Sequence, residues 1–218
     1  MTLYSATSNP GKLAEFADAA QPSGITVLAL PGLNAIPEPE ENAATFQGNA
    51  DIKAIAYSLA APGLLVFADD SGLEVPALGN LPGVRSARFA QDHHPHDPSH
   101  QTLPHSSRDQ RNNAYLLQQM ADLPSSASRA ARFVCCLSMA RNGEILLRSQ
   151  GSVSGELLHA PRGSDGFGYD PLFYIPSLKR TFAELPRQVK WQISHRGIAF
   201  RSLLEQCHSA WHLLRRTP

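Results

Sequence analysis

Two adjacent carboxylates, Asp69 and Asp70, follow the apolar run Leu64-Leu65-Val66-Phe67-Ala68 and precede Ser71-Gly72. The run predicts a buried strand, and the small residues predict the turn that ends it. Side chains of consecutive strand residues leave opposite faces, so the two acids need not share one task. Like charges this close are unfavourable unless a cation, a hydrogen bond or a proton offsets them. The pair therefore points to a divalent metal, to acid–base chemistry, or to both.

Four further segments carry residues of matching chemistry. Thr7-Ser8-Asn9-Pro10-Gly11-Lys12 lies between a predicted strand and a predicted helix. N–H groups at a helix start, two hydroxyls and a lysine make a candidate anion site. Its glycine spacing is not that of a Walker loop. Glu40-Glu41 precedes a helix on which Asn49 and Lys53, one turn apart, share a face. Glu41 and Asp70 can supply the one or two protein carboxylates that magnesium takes. Residues 163–171 hold three glycines, with Phe167 and Tyr169 as ring faces for a planar base and Asp170 as an acceptor for ring N–H groups. Finally, Lys190 and Ser194-His195-Arg196-Gly197 offer donors suited to a carbonyl oxygen or a phosphate. Each segment also has an ordinary structural reading: a capped turn, a charged loop, a tight turn over core aromatics, a solvated helix face. Taken together they form the inventory for a purine nucleoside triphosphate bound with magnesium.

These residues must be positioned by an alternation of strands and helices, which predicts an α/β fold. Strands are expected at residues 2–7, 25–30, 64–68, 131–139, 144–150 and 172–175. Helices are expected at 12–20, 42–61 and 109–123 and in the tail from Gln188. Asn142-Gly143 is a hairpin signal. Residues 91–108 carry five histidines and three prolines, which argue against a helix and predict a surface loop. A transition-metal site in that tract is the alternative, and with it a non-catalytic nucleotide- or metal-binding module. No repeat or linker divides the chain, so residues 1–218 are expected to form one domain.

Composition narrows the partner. Among 218 residues the formal net charge is zero, so no global field recruits nucleic acid or an anionic membrane. There is no leader pattern and no apolar run of membrane-spanning length. Cys135, Cys136 and Cys207 make no disulfide framework, and the first two read as small buried hydrophobes in a strand. A soluble, cytoplasmic protein with a small anionic ligand is expected.

The motifs, in order, resemble the inosine triphosphate pyrophosphatase family. The resemblance rests on residues 7–12, Glu40-Glu41, Thr45-Phe46, Asn49-Ala50, Lys53-Ala54 and Ala68-Asp69-Asp70-Ser71-Gly72-Leu73. It continues through Pro82-Gly83-Val84, Ser86-Ala87-Arg88, Gly166 to Pro171, Ala183-Glu184-Leu185, Lys190 and Ile193 to Gly197. It implies a two-lobed fold around a long mixed sheet flanked by helices, with the active site in the cleft, a homodimer and magnesium. The implied reaction is hydrolysis of ITP, dITP and XTP to the monophosphate and pyrophosphate, with house-cleaning of other modified nucleotides as the alternative. By motif, Asp70 is similar to the proton acceptor that activates water, and Glu41 and Asp70 to the metal ligands. Thr7, Ser8, Asn9, Pro10, Gly11, Lys12, Lys53 and Ser71 would hold the triphosphate. Phe167, Gly168, Tyr169, Asp170, Lys190, His195 and Arg196 would hold the base. Relatives often carry Glu at Gly48, acids at Gln188 and Val189, and a short connection where the histidine-rich tract is inserted.

Overall fold

The computed structural model describes residues 1–93 and 105–214. Its strands and helices alternate as expected in a mixed α/β fold. The strands β1 (Thr2–Ser5), β2 (Thr26–Ala29), β3 (Val66–Val75), β4 (Leu81–Pro82), β5 (Ala130–Arg141), β6 (Glu144–Leu157), β7 (Phe173–Ile175) and β8 (Arg180–Thr181) follow the order β2-β1-β3-β5-β6-β7-β8, with β4 on β3. The chain divides into two units: Met1–Asp70, Cys135–Ser152 and Ser194–Pro218 form the first, Ser71–Val134 and Val153–Ile193 the second. Three strands, β3 (Val66–Val75), β5 (Ala130–Arg141) and β6 (Glu144–Leu157), contribute residues to both.

In the first unit, β1 (Thr2–Ser5) pairs in parallel with β2 (Thr26–Ala29) and with β3, Tyr4 lying opposite both Leu28 and Val66. Parallel neighbours require crossover segments, supplied by α1 (Pro10–Ala20) and α2 (Phe46–Ala60). Proline fits the first turn of α1 because its missing N–H has no helical partner there, so the helix begins two residues earlier than expected. Likewise α2 begins at Phe46 and not at 42, because Thr45 caps it by accepting from Gly48 N at 3.1 Å. Phe16 of α1, Phe67 of β3 and Phe200 of α6 (His195–Ser209) pack with ring centroids 4.7–5.6 Å apart. On the other face of β3, Ala68 packs with Ala54 of α2 and Ala140 of β5. Asn142 and Gly143, both at positive φ, turn the β5–β6 hairpin as the dipeptide predicts.

The second unit is built on a core that includes Phe133, Phe173 and Phe182 with Leu116 and Met120 of α4 (His105–Ala121). Here β3 pairs with β4 (Leu81–Pro82), β6 with β7 (Phe173–Ile175) and β7 with β8 (Arg180–Thr181), all antiparallel. A 3-10 segment (Gly83–Arg88) leads into α3 (Phe89–His93), and Asn112 of α4 stitches that corner together. Its side chain accepts from Ala90 N at 2.9 Å and donates to the Ser86 and Ala87 carbonyls.

Three expectations are corrected. The strand bearing the aspartates does not turn at Ser71-Gly72. It runs on to Val75 because Leu73 and Val75 continue the buried pattern, so both acids lie mid-strand. The tract 91–108 is not all loop. Residues 91–93 end α3, and residues 105–108 open α4; the expectation for 94–104 lies outside the described residues. The tail is not one helix. It is α5 (Arg187–Ile193), α6 and α7 (Trp211–Leu214), with Ser194 capping α6 by accepting from Gly197 N. Cys135 and Cys136 are buried, as expected, and burial raises the Cys135 thiol. Among the described residues no helix is long and apolar enough to cross a membrane.

Candidate active site

Strand parity divides the two aspartates. Asp69 shares a face of β3 with Phe67, which packs on α1 and α6, so its carboxylate meets the cations those helices carry. Lys12 Nζ donates to Asp69 Oδ2 at 2.7 Å. Burial alone would raise Asp69, yet the charges of Lys12, Arg196 and Lys53 and the Lys12 hydrogen bond hold it well below the usual carboxylate range. Asp70 shares the opposite face with Ala68 and meets α2. Asn49 Nδ2 donates to its Oδ2 at 3.0 Å, and Lys53 Nζ lies 3.9 Å from its Oδ1. Burial is the largest influence on Asp70 and raises it to about 6, with Glu41 and Asp69 adding to the rise and Lys53 and Asn49 opposing it.

Lys53 also donates to Glu41 Oε2 at 2.9 Å, so one ammonium lies within 4 Å of both carboxylates expected to bind metal. Burial lowers Lys53, but Asp69, Asp70 and Glu41 together raise it above the ordinary lysine value and keep it charged. Among the described residues no three His, Cys, Asp or Glu side chains are grouped to hold a metal by themselves. Glu41 and Asp70 offer two carboxylates of hard oxygen, a donor set that suits magnesium, which retains waters and takes substrate oxygens for the rest of its shell.

The strand-to-helix turn differs from the expected anion cradle. Asn9 Oδ1 accepts from Gly11 N and Lys12 N at 2.9 and 3.1 Å, Asn9 O accepts from Leu13 N, and Thr7 Oγ1 accepts from Asn9 N. Pro10 has no N–H. The first-turn N–H groups are therefore engaged internally, and what the segment offers a phosphate is the Lys12 ammonium with the Thr7 and Ser8 hydroxyls.

His195 and Arg196 open α6 in the first unit. Both are buried and not on a solvated face. Arg196 Nη1 lies 3.5 Å from Glu15 Oε2. Gly151 of β6 lets α6 approach: a Cβ there would overlap the His195 carbonyl oxygen and the Ala199 nitrogen and lie 2.9 Å from Ile198 Cβ.

In the second unit, Lys190 Nζ donates to Asp170 Oδ2 at 2.5 Å, and the same oxygen accepts from Phe167 N at 2.8 Å. The Lys190 ammonium stands 5.0 Å from the Phe167 ring centroid, and Phe167 is 38% exposed. Tyr169 does not offer a ring face. It belongs to the hydrophobic core, and its hydroxyl donates to Ser86 O at 2.9 Å. Burial and the Asp109 charge push that hydroxyl far above its ordinary value. Ser71 begins this unit, directly after Asp70 in β3.

A family model described as the Ham1 family matches residues 3–206. The chain belongs to the Ham1 family. A relative from Acidobacterium capsulatum named dITP/XTP pyrophosphatase is 51% identical over 206 residues, covering 94% of this chain and 97% of the relative. One of the same name from Thermus thermophilus is 45% identical over 94% of this chain and 91% of its own. Among solved structures, a HAM1 protein from Coxiella burnetii matches with TM-score 0.82 and 34% identity, covering 96% of this chain and all of the other. The Staphylococcus aureus Ham1 protein matches with TM-score 0.78 and 34% identity over 96% and 99%. For this Ham1 chain, sequence reasoning gave Asn49 no task and overlooked Glu15. Their signals were helical spacing: Glu15 lies three residues after Lys12 on α1, and Asn49 four before Lys53 on α2.

Proposed function

We propose that the protein hydrolyses ITP, dITP and XTP to the monophosphate and pyrophosphate. The observation that carries this reading is Asp70: a buried carboxylate raised to about 6, held by Asn49 and facing Lys53. A general base works best with a pKa near the working pH, where it is ionised yet more basic than an ordinary carboxylate. The names of the relatives point the same way.

Asp70 takes a proton from water, whose oxygen bonds to the α-phosphorus as the bond to the β-phosphate oxygen breaks. Pyrophosphate leaves with that electron pair. Lys12, Lys53, the Thr7 and Ser8 hydroxyls and Ser71 bind the triphosphate, with Asn9, Pro10 and Gly11 shaping that turn. Asn49 orients Asp70, and the strongly held charge of Asp69 fixes Lys12. Glu41 and Asp70 would hold magnesium, which when bound neutralises charge on the phosphate oxygens. Phe167 stacks on the base, Gly168 and Tyr169 shape its loop, and Asp170 and Lys190 fix that loop and offer polar contacts. His195 and Arg196 donate to the 6-oxo group that hypoxanthine and xanthine share, where adenine carries an amino donor that such groups cannot accept.

Purified protein incubated with ITP, dITP, XTP, GTP and ATP plus magnesium tests the reading. Pyrophosphate release favouring the first three is expected; orthophosphate alone, or no preference over ATP, overturns it. The same reading extends to one catalytic domain over residues 1–218, a cytoplasmic location and a homodimer. Cell fractionation and sedimentation check the last two.

A further inference from the structure

Helix α4 touches the candidate base loop at one glycine, from both sides. Gly168 N donates to Asp109 Oδ2 at 2.7 Å, and Asn113 Nδ2 donates to Gly168 O at 2.9 Å. Asp109 and Asn113 are one turn apart on α4, so they share a face. The two bonds hold successive peptide planes: the one joining Phe167 to Gly168, and the one joining Gly168 to Tyr169. Phe167 thus sits between Gly166 and Gly168, both at positive φ (81° and 62°), in a segment with no strand or helix ladder of its own. Its N–H donates to Asp170, and its carbonyl accepts from Asp170 N at 3.3 Å. The direction of its exposed ring is therefore set by Asp170 on one side and by α4 on the other.

The helix itself is anchored. Asn112 bonds to the corner at Ser86–Ala90, and Tyr115 packs on Phe89 with ring centroids 5.0 Å apart. Asn113 is buried, and its Oδ1 has no hydrogen-bond partner among the described residues. Reversing the amide would set that oxygen against the Gly168 carbonyl, so the position requires a donor.

We propose that Asp109 and Asn113 are positioning residues for purine recognition: they fix the Gly168 peptides and so aim Phe167 at the base. This rests on the nucleotide-hydrolysing reading above. A purine held by stacking needs the ring at one angle and height, and the glycines on either side of Phe167 leave its backbone free to turn unless hydrogen bonds hold the neighbouring peptides.

The test separates base recognition from phosphate chemistry. Wild type, Asp109→Ala, Asp109→Asn, Asn113→Ala and Asn113→Asp are assayed with ITP, and inhibition by IMP and by pyrophosphate is measured for each. Asp109→Ala and Asn113→Ala are expected to raise KM for ITP and the IMP inhibition constant about tenfold. They should leave kcat within about threefold and the pyrophosphate constant within about twofold. Asp109→Asn keeps an acceptor and should return to near wild type, whereas Asn113→Asp sets a carboxylate against a carbonyl and should exceed Asn113→Ala. In the Phe167→Ala background, Asn113→Ala should add little, because the ring it aims is gone. If Asn113→Ala does not fold, Asn113→Ser takes its place in each comparison. Wild-type KM in both alanine variants, or equal losses in IMP and pyrophosphate binding, overturns the inference while leaving the proposed reaction standing. A wild-type protein that releases no pyrophosphate from any nucleotide overturns both.

Discussion

Asp69 and Asp70 are consecutive residues of one strand, and their environments drive their proton affinities in opposite directions. Lys12 at 2.7 Å helps hold Asp69 well below the carboxylate range, while burial lifts Asp70 to about 6. Asp70→Asn is therefore expected to lower kcat by about 10²–10⁴, the usual range for a positioned general base, with circular dichroism unchanged. Asp69→Asn should act on the fold and, by releasing Lys12, on KM. It leaves Lys12 and Arg196 without their shared counter-charge, and breaking such a buried pair costs about 3 kcal/mol, read as a fall in Tm.

The raised Asp70 also fixes a sign for stability against pH in metal-free protein. Its folded value of about 6 exceeds the ordinary value of 3.8, so the folded state binds the proton more tightly. The stability this contributes is complete below about pH 4 and is lost as pH rises through 6. Two pH units of difference correspond to roughly 3 kcal/mol. In EDTA, Asp70→Asn should match wild type in Tm near pH 4 and exceed it above pH 6.5. Asp69, being lowered, has the opposite sign: its contribution is present above about pH 4 and is lost only in stronger acid. A Tm difference between Asp70→Asn and wild type that stays flat from pH 4 to 8 would contradict this assignment.

The two aromatics of the glycine loop separate by burial. Phe167→Ala should raise KM for ITP by about tenfold or more, since base–aromatic stacking contributes about 1–3 kcal/mol, with kcat little changed. Tyr169→Phe removes only the hydroxyl bonded to Ser86 O. It should lower stability by about 1 kcal/mol and leave KM where it was. Parallel kinetics and thermal melts distinguish the two.

Gly151 bears on both fold and site. Gly151→Ala drives a methyl into the first turn of α6, and such overpacking costs about 1–3 kcal/mol. Because that turn begins with His195 and Arg196, KM for ITP should rise with the fall in Tm. A variant with wild-type Tm and KM would mean the turn yields without consequence.

Much of this was legible in the sequence. Apolar periodicity placed the main strands and helices, and period-two alternation alone sent Asp69 and Asp70 to opposite faces of β3. What escaped was tertiary. Ser71-Gly72 reads locally as a turn, and only the partners of β3 and the buried Leu73 and Val75 keep it extended. Tyr169 and Phe167 look alike in sequence, because burial beneath Ser86 depends on a segment some eighty residues earlier. Asn9 is a strong cap, and a cap of that strength consumes the helix-start N–H groups that a phosphate would otherwise use. Asp109 and Asn113 carried a readable spacing of four, but nothing local said that Gly168 would lie across it.

Placing both acids inside a strand, and not in the turn after one, has a consequence for how the chemistry tolerates change. A loop absorbs an inserted or deleted residue by rearranging; a strand paired along both edges transmits it. Removing one residue between Val66 and Asp69 would trade the faces of the two aspartates. The carboxylate now neutralised by Lys12 would face Asn49 and Lys53, and the one now raised would face Lys12. Composition, net charge and strand length would barely differ, yet base and counter-ion would have exchanged places. In this position a frame error of one residue is a chemical inversion, and the pairing of β1 with β3 is the ruler that prevents it.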